Sequence, residues 1–403
     1  MSEWQEVSLD TVAQINPTES LSKGAMAKKF AMDALQPFTK KPSRYEIEAY
    51  SGGMKFKNGD TVVARITPCL ENGKTAYIDL LEENEVAYGS TEYIVLREKF
   101  GVTDKQFLYY FSISPIFRDV AIASMTGSSG RQRVQTDVVK QHVFEMPSLK
   151  EQKAIASVLS SLDDKIDLLH RQNSTLEHMA ETLFRQWFVE EAKEDWSFVV
   201  LGEYVNCFNG VSYKSSDLNA SKTAMVTLKS FDRNGGFRLD GFKEFTGRYK
   251  EQHIVVQGDL VVAHTDITQD AEVIGNPVLV VASPSYETIV ISMDLVKVTS
   301  KFDWLSNEFL YRMMRTREFK EHCLGYSNGS TVLHLSKQAI PSYEFFLPPK
   351  EKIQFFTANV KAMLGKKFKN IEQIQTLEKL RDTLLPKLMS GEVRMELVAC
   401  AEE

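Results

Sequence analysis

The sequence predicts a duplicated mixed α/β (α+β) fold, with two copies of one domain, each followed by a long helix, and the two helices paired antiparallel as a coiled coil. Three observations predict it. The chain repeats itself once, at an offset of about 200 residues. Each copy opens on short β-rich runs and closes on one long apolar-periodic helix. At 403 residues, with 43% hydrophobic and 25% charged residues, the chain has the composition of a folded protein of two domains.

The repeat sets the order of elements. Trp4 to Leu9 (WQEVSL) returns as Trp196 to Leu201 (WSFVVL), and NGDTVVAR at 58–65 returns as QGDLVVAH at 257–264. A Gly-Asp turn before an apolar, β-branched run is the pattern of a buried strand. FLYY at 107–110 is matched by FLYR at 309–312, Gly127-Ser128 by Gly329-Ser330, and TLEHMAETLF at 175–184 by TLEKLRDTLL at 376–385. Offsets drift from 192 to 202, as small loop insertions on a shared scaffold require. Within the first copy, Thr61 to Ile66, Thr75 to Leu80 and Thr91 to Leu96 read as strands, and Lys105 to Ala123 reads as a helix. The predicted boundaries are 1–149 for the first domain, 150–191 for its helix, 192–349 for the second domain, 350–392 for the second helix and 393–403 for a tail.

Both long helices carry their apolar residues in steps of three and four. In the first the seam is Ile155, Leu159, Leu162, Ile166, Leu169, Leu176, Ala180, Leu183 and Trp187, interrupted by Asn173 where an apolar residue is due. One polar residue on such a seam fixes register and partner at some cost in stability. The second helix carries Phe356, Val360, Leu364, Phe368, Ile371, Ile374, Leu377, Leu384 and Leu388, and Pro386 is expected to kink or end it. About 40 residues at 1.5 Å each span roughly 60 Å, more than one globular domain requires. Antiparallel pairing of the two covers both apolar stripes.

Composition narrows the chemistry. The start MSEWQEVSLD lacks the basic and apolar segments of a signal peptide, and no apolar run reaches about 18 residues, so a cytoplasmic chain with no membrane partner is expected. Cys69, Cys207, Cys323 and Cys400 form no CxxC pair and are expected to be reduced thiols, not zinc ligands. No Asn/Asp-Pro-Pro-aromatic motif is present, the one double proline being FLPPK at 346–350, and no glycine-rich methyltransferase loop accompanies it. GKT at 73–75 resembles the end of a phosphate-binding loop, but Pro68 replaces the required glycine. Glu151-Gln152-Lys153 opens a helix and has no paired aspartate, and the histidines show no metal or triad spacing. Binding is what remains, with no cofactor on this chain. The net charge of −6 is unusual for a nucleic-acid binder, yet Lys23 to Lys57 holds eight Lys/Arg against three Asp/Glu, and Lys214 to Lys250 eight against four.

GDTVVARITPCLENGKTAYI at 59–78, GSSGRQRV at 127–134, MPSLKEQKAIASVLSSLDDKI at 146–166 and LRDTLLPKLMSGEV at 380–393 together resemble the type I restriction-modification specificity-subunit family. The resemblance spans essentially the whole chain. It implies two target-recognition domains, each reading half of a split site on double-stranded DNA, with the helix pair setting the spacing. It also implies two methyltransferase subunits using S-adenosylmethionine, and motor-nuclease subunits using ATP and Mg, as partners. Base reading needs paired donors and acceptors, and phosphate contacts need Lys, Arg, Ser, Thr and backbone N–H groups. The candidates in the first half are therefore Arg65, Thr67, Asn72, Lys74, Ser128, Arg131, Gln132 and Arg133. In the second they are His264, Asp266, Gln269, Asn328, Ser330 and Thr331, with Lys214, Lys229 and Arg233 as phosphate contacts. Two other classes stay open: an interaction protein whose helices mediate assembly, and a nuclease or fused methyltransferase.

Overall fold

The computed structural model describes residues 4–193, 195–232, 235–267, 270–329 and 332–395. It divides into two compact units, Met1–Leu168 with Ile374–Glu403, and Leu169–Gln373.

In the first unit the opening strand Gln5–Ser8 pairs antiparallel with Val143–Met146, Gln5 facing Met146, which brings the two ends of the domain together where the first long helix starts. Between them lie two four-stranded sheets. One is antiparallel, in the order Ala13–Ile15, Tyr93–Glu98, Thr61–Ala64, Thr75–Tyr77. The other runs Glu46–Ala49, Met26–Phe30, Ala87–Gly89, Lys55–Phe56, with Met26–Phe30 parallel to Ala87–Gly89. Every residue of Thr61–Ala64 is buried, as a β-branched central strand covered on both faces should be. Its Gly-Asp turn is structural. Gly59 takes φ +91°, Asp60 accepts the Lys57 N–H at 2.8 Å, and the same buried carboxylate holds Arg97 Nε at 2.6 Å.

The expected helix over Lys105 to Ala123 is two helices, Lys105–Ile113 and Pro115–Ala123. Pro115 offers no N–H and pushes Ser114 into an extended conformation (φ −74°, ψ 158°), so the first helix stops and the proline starts the second.

The second unit repeats this plan. Ser197–Val200 pairs with Glu344–Leu347; Val205–Asn209, Leu295–Ser300, Leu260–Ala263 and Pro277–Leu279 form the antiparallel sheet; and Thr223–Val226 lies parallel to Thr288–Ile291. Gly258 takes φ +89°, and Asp259 binds the Val256 N–H at 3.0 Å and Lys297 at 2.8 Å, so this Gly-Asp turn does the same work. The paired helices are Asn307–Met314 and Arg317–Gly325, the second capped by Thr316.

The long helices are Leu149–Arg185, continued by a wider π turn at Gln186–Glu190, and Lys350–Met389. In the first unit their segments run antiparallel, since Glu151 meets Arg394 at 2.7 Å and Asp163 meets Arg381 at 2.9 Å. Ile155 and Leu159 share a core there with Leu385, Leu388 and Met389. In the second unit the pairing is also antiparallel: Asn173 with Asn370, Glu177 with Lys367, and Phe184 with Phe356. Of the seam residues, Leu159, Ile166, Leu169, Val360, Leu364 and Ile374 are buried. Leu162, Asn173, Leu176, Leu183, Ile371 and Leu377 are half-buried. Pro386 does not stop the second helix, which continues to Met389 before Gly391 turns the chain at φ +73°. Cys69, Cys207 and Cys323 are free thiols, while Cys400 lies outside the described residues.

Candidate nucleic-acid interface

In the first unit the candidates gather beyond the C-terminal end of the buried strand Thr61–Ala64. Thr126 and Arg133 exchange both backbone hydrogen bonds, at 3.0 and 2.9 Å, and close a turn over residues 127–132. Two glycines make it possible, Gly127 at φ +131° and Gly130 at φ +76°. The turn is laced to the strand extension, because the Thr67 N–H donates to the Gln132 carbonyl at 3.0 Å and the Val134 N–H to the Arg65 carbonyl at 2.9 Å. A second loop, 67–74, closes beside it through Lys74 N–H to Cys69 carbonyl and Ala64 N–H to Lys74 carbonyl, both 3.0 Å.

The side chains differ in availability. Arg131, Ser128 and Asn72 are exposed, Gln132 is half-buried, and the Arg131 guanidinium has no partner among the described residues. Arg133 is forked onto Glu92, with Nε at 2.9 Å and Nη2 at 2.7 Å from Oε1, and its hydrogen bonds hold that carboxyl below its usual range. Arg65 is half-buried and donates to the Val134 carbonyl at 3.2 Å. Lys74 donates to the Met32 carbonyl at 2.9 Å, and the Thr67 hydroxyl faces Met125 Sδ at 4.0 Å.

In the second unit a small three-stranded ladder occupies the equivalent place, with Thr265–Asp266 and Ser327–Asn328 flanking Leu333–Leu335. It brings His264, Asp266 and Asn328 together and adds His334, exposed and facing both Thr265 and Asn328. No local motif marks His334 in the sequence. Burial, with the neighbouring His334 and Lys337 adding to it, lowers the His264 pKa, so that ring is neutral near pH 7. Asp266 is 2% exposed, and its carboxylate accepts the Val273 and Ile274 N–H groups at 2.6 and 3.0 Å. It organises the loop from inside. Asn328 is exposed, beside Gly329 at φ +125°. Lys214 and Lys229 are exposed on separate turns that no strand pairing or hydrogen bond joins to this ladder among the described residues. Arg233, Gln269, Ser330 and Thr331 lie outside the described residues.

Among the described residues no group of three His, Cys, Asp or Glu side chains is placed to hold a metal, and no helix is long and apolar enough to cross a membrane.

Residues 1–178 match the type I restriction modification DNA specificity domain. The chain is 30% identical over 207 residues to the type I restriction enzyme EcoAI specificity subunit of Escherichia coli, an alignment covering 48% of this chain and 35% of that subunit. It is 23% identical over 407 residues to the HindI specificity subunit of Haemophilus influenzae, covering 84% of this chain and 87% of that one. The chain is similar to type I restriction-modification specificity subunits, and residues 1–178 match that family's DNA specificity domain. The fold agrees, since a type I restriction-modification system S subunit from M. genitalium superposes with TM-score 0.55 at 18% identity, covering 96% of each chain.

Proposed function

We propose that this chain is a type I specificity subunit whose two repeated domains are target-recognition domains, each reading one half of a split, asymmetric site on double-stranded DNA. The observation that carries the reading is the pair of equivalent polar surfaces beyond the same buried strand of each repeat. One presents Arg131, Gln132 and Asn72, the other Asn328 and His334 with His264 half-buried beside them. Groups that differ in donor and acceptor pattern select different bases, which suits an asymmetric site. Arg65, Thr67, Lys74, Ser128 and Arg133 support the first surface, and Lys214 and Lys229 are candidate phosphate contacts of the second domain. Asp266 is left out, because its carboxylate is buried and bonded.

In this reading the long helices are a spacer that a flexible linker could not replace, since two readers at a set separation need a stiff connection. Two methyltransferase subunits that use S-adenosylmethionine assemble on the chain, and motor-nuclease subunits that use ATP and Mg add cleavage, all in the cytoplasm. The chain directs these activities and performs none of them. The test is a map of methylated adenines in cells expressing this chain with a compatible type I methyltransferase subunit. A split motif that vanishes when the chain is omitted is the expected result. An assembled complex that methylates nothing would replace this reading with that of an interaction protein.

A further inference from the structure

We propose that Arg118 and Lys320 are positioning residues for base reading, the first a buried and the second a half-buried cation, each setting the backbone of one DNA-facing loop by binding its carbonyls. The proposal rests on the function given above, in that the loops 67–74 and 271–276 are taken to face DNA.

Arg118 is 9% exposed, and its guanidinium donates to the carbonyls of Leu70 at 2.9 Å and Glu71 at 3.2 Å. The Phe38 ring lies 5.0 Å from it and also packs against Gly73, where an added Cβ would come within 2.6 Å of that ring. The Phe38 N–H donates to the Gly73 carbonyl at 3.1 Å. Lys320 Nζ donates to the carbonyls of Ala271 at 2.9 Å and Ile274 at 2.6 Å, and to Asn276 Oδ1 at 2.8 Å. Gly275 closes this loop at φ +77°, as Gly73 closes the other at φ +75°.

The two cations and the two glycines each lie 202 residues apart, so one device occurs twice. The loops themselves differ, since Gly73 follows Ala64 by nine residues and Gly275 follows Ala263 by twelve. Neither Arg118 nor Lys320 forms a carboxylate salt bridge among the described residues. Burying a cation such as Arg118 without one is costly, and an apolar side chain would fill that space more cheaply. What a multi-donor cation adds is a fixed direction for several carbonyls at once, hence a fixed shape for the exposed residues between them, such as Glu71 and Asn72.

The experiment uses the full chain assembled with a compatible methyltransferase subunit, S-adenosylmethionine and a duplex library randomised across the marked motif, read by sequencing methylated adenines. Arg118→Met should relax base choice in one half of the motif only, by about tenfold at the affected positions. Lys320→Met should do so in the other half only. Arg118→Lys should show an intermediate, equally half-restricted relaxation, and it decides the matter if the Met variant does not assemble. Wild-type base preference in both halves, or equal relaxation of both halves tracking a lower unfolding temperature, would overturn the proposal. A wild-type complex that marks no split motif would overturn the functional reading beneath it, before any variant is made.

Discussion

Asp163 and Arg381 form a buried ion pair, with side chains 5% and 7% exposed, and Tyr110 adds a hydroxyl hydrogen bond to the carboxylate at 2.6 Å. Burial works against the Arg381 charge, but Asp163 and Asp382 outweigh it and raise its pKa. At the positions 201 residues away the repeat has Leu364 and Ala180, both buried and apolar. Arg381→Met, which leaves Asp163 uncompensated, should cost about 3–5 kcal/mol of stability. The double change Asp163→Leu with Arg381→Ala, which installs the apolar pair, should recover most of that in chemical denaturation. Glu177 gives a second test. Burial would raise its pKa, but Lys367, Arg312 and Arg315 outweigh burial and bring it from 4.5 to about 2. A depressed carboxylate contributes stability above its unfolded pKa and loses it as pH falls through the folded one. Wild type should therefore exceed Glu177→Gln by on the order of 3 kcal/mol at neutral pH. Unfolding measured at pH values from 5 down to 2 should show that gap closing as Glu177 becomes neutral.

The polar step in the helical seam is a pair of amides. Asn370 Nδ2 donates to Asn173 Oδ1 at 2.9 Å, and Asn370 is fully buried with its own Oδ1 lacking a partner. Asn173 was legible because it interrupts a strict heptad. Asn370 was not, because the second helix is less regular and an asparagine there breaks no pattern. Asn370→Ala should destabilise the second unit by about 1–3 kcal/mol, since it strands the Asn173 amide. Replacing both by Leu should raise the unfolding temperature while admitting alternative helix registers, which spin-label distances across residues 169–373 would report as a broadened distribution. Unchanged distances would mean that Glu177 and Lys367 hold the register unaided. The helix expected over Lys105 to Ala123 shows the opposite limit. Its apolar period ran on through residue 114, and only the backbone restriction imposed by Pro115 divided it.

A chain of net charge −6 has little long-range attraction for DNA. The isolated chain should not shift a cognate duplex at nanomolar concentration in physiological salt, whereas the complex with methyltransferase subunits should. Binding that tight by the chain alone would mean that its basic segments attract DNA in spite of the acidic residues around them. In the complex, Arg131→Ala should flatten the dependence of log affinity on log salt by about one unit if Arg131 meets a phosphate. If it reads a base, the slope should stay and discrimination at one position should fall. Arg133→Ala should have a smaller effect on DNA, because its guanidinium is already held by Glu92.

The duplication, the first copy's central strands and the two long helices were determined by the sequence alone, because each is written in local periods and turn residues that hold wherever the chain goes. Gly59-Asp60 and Gly258-Asp259 mark turns without reference to anything distant. Which polar side chains are free to meet a ligand was decided only by tertiary structure. Arg131 and Arg133 stand two residues apart in one motif, yet among the described residues one guanidinium is unpartnered and the other is gripped by Glu92, 41 residues away. Asp266, a candidate for DNA contact on sequence grounds, is buried, while Arg118 and Lys320, which no sequence motif marks, hold loops 44 to 49 residues distant. A charge is available or consumed according to its non-local neighbours and its burial, and neither quantity exists until the chain has folded.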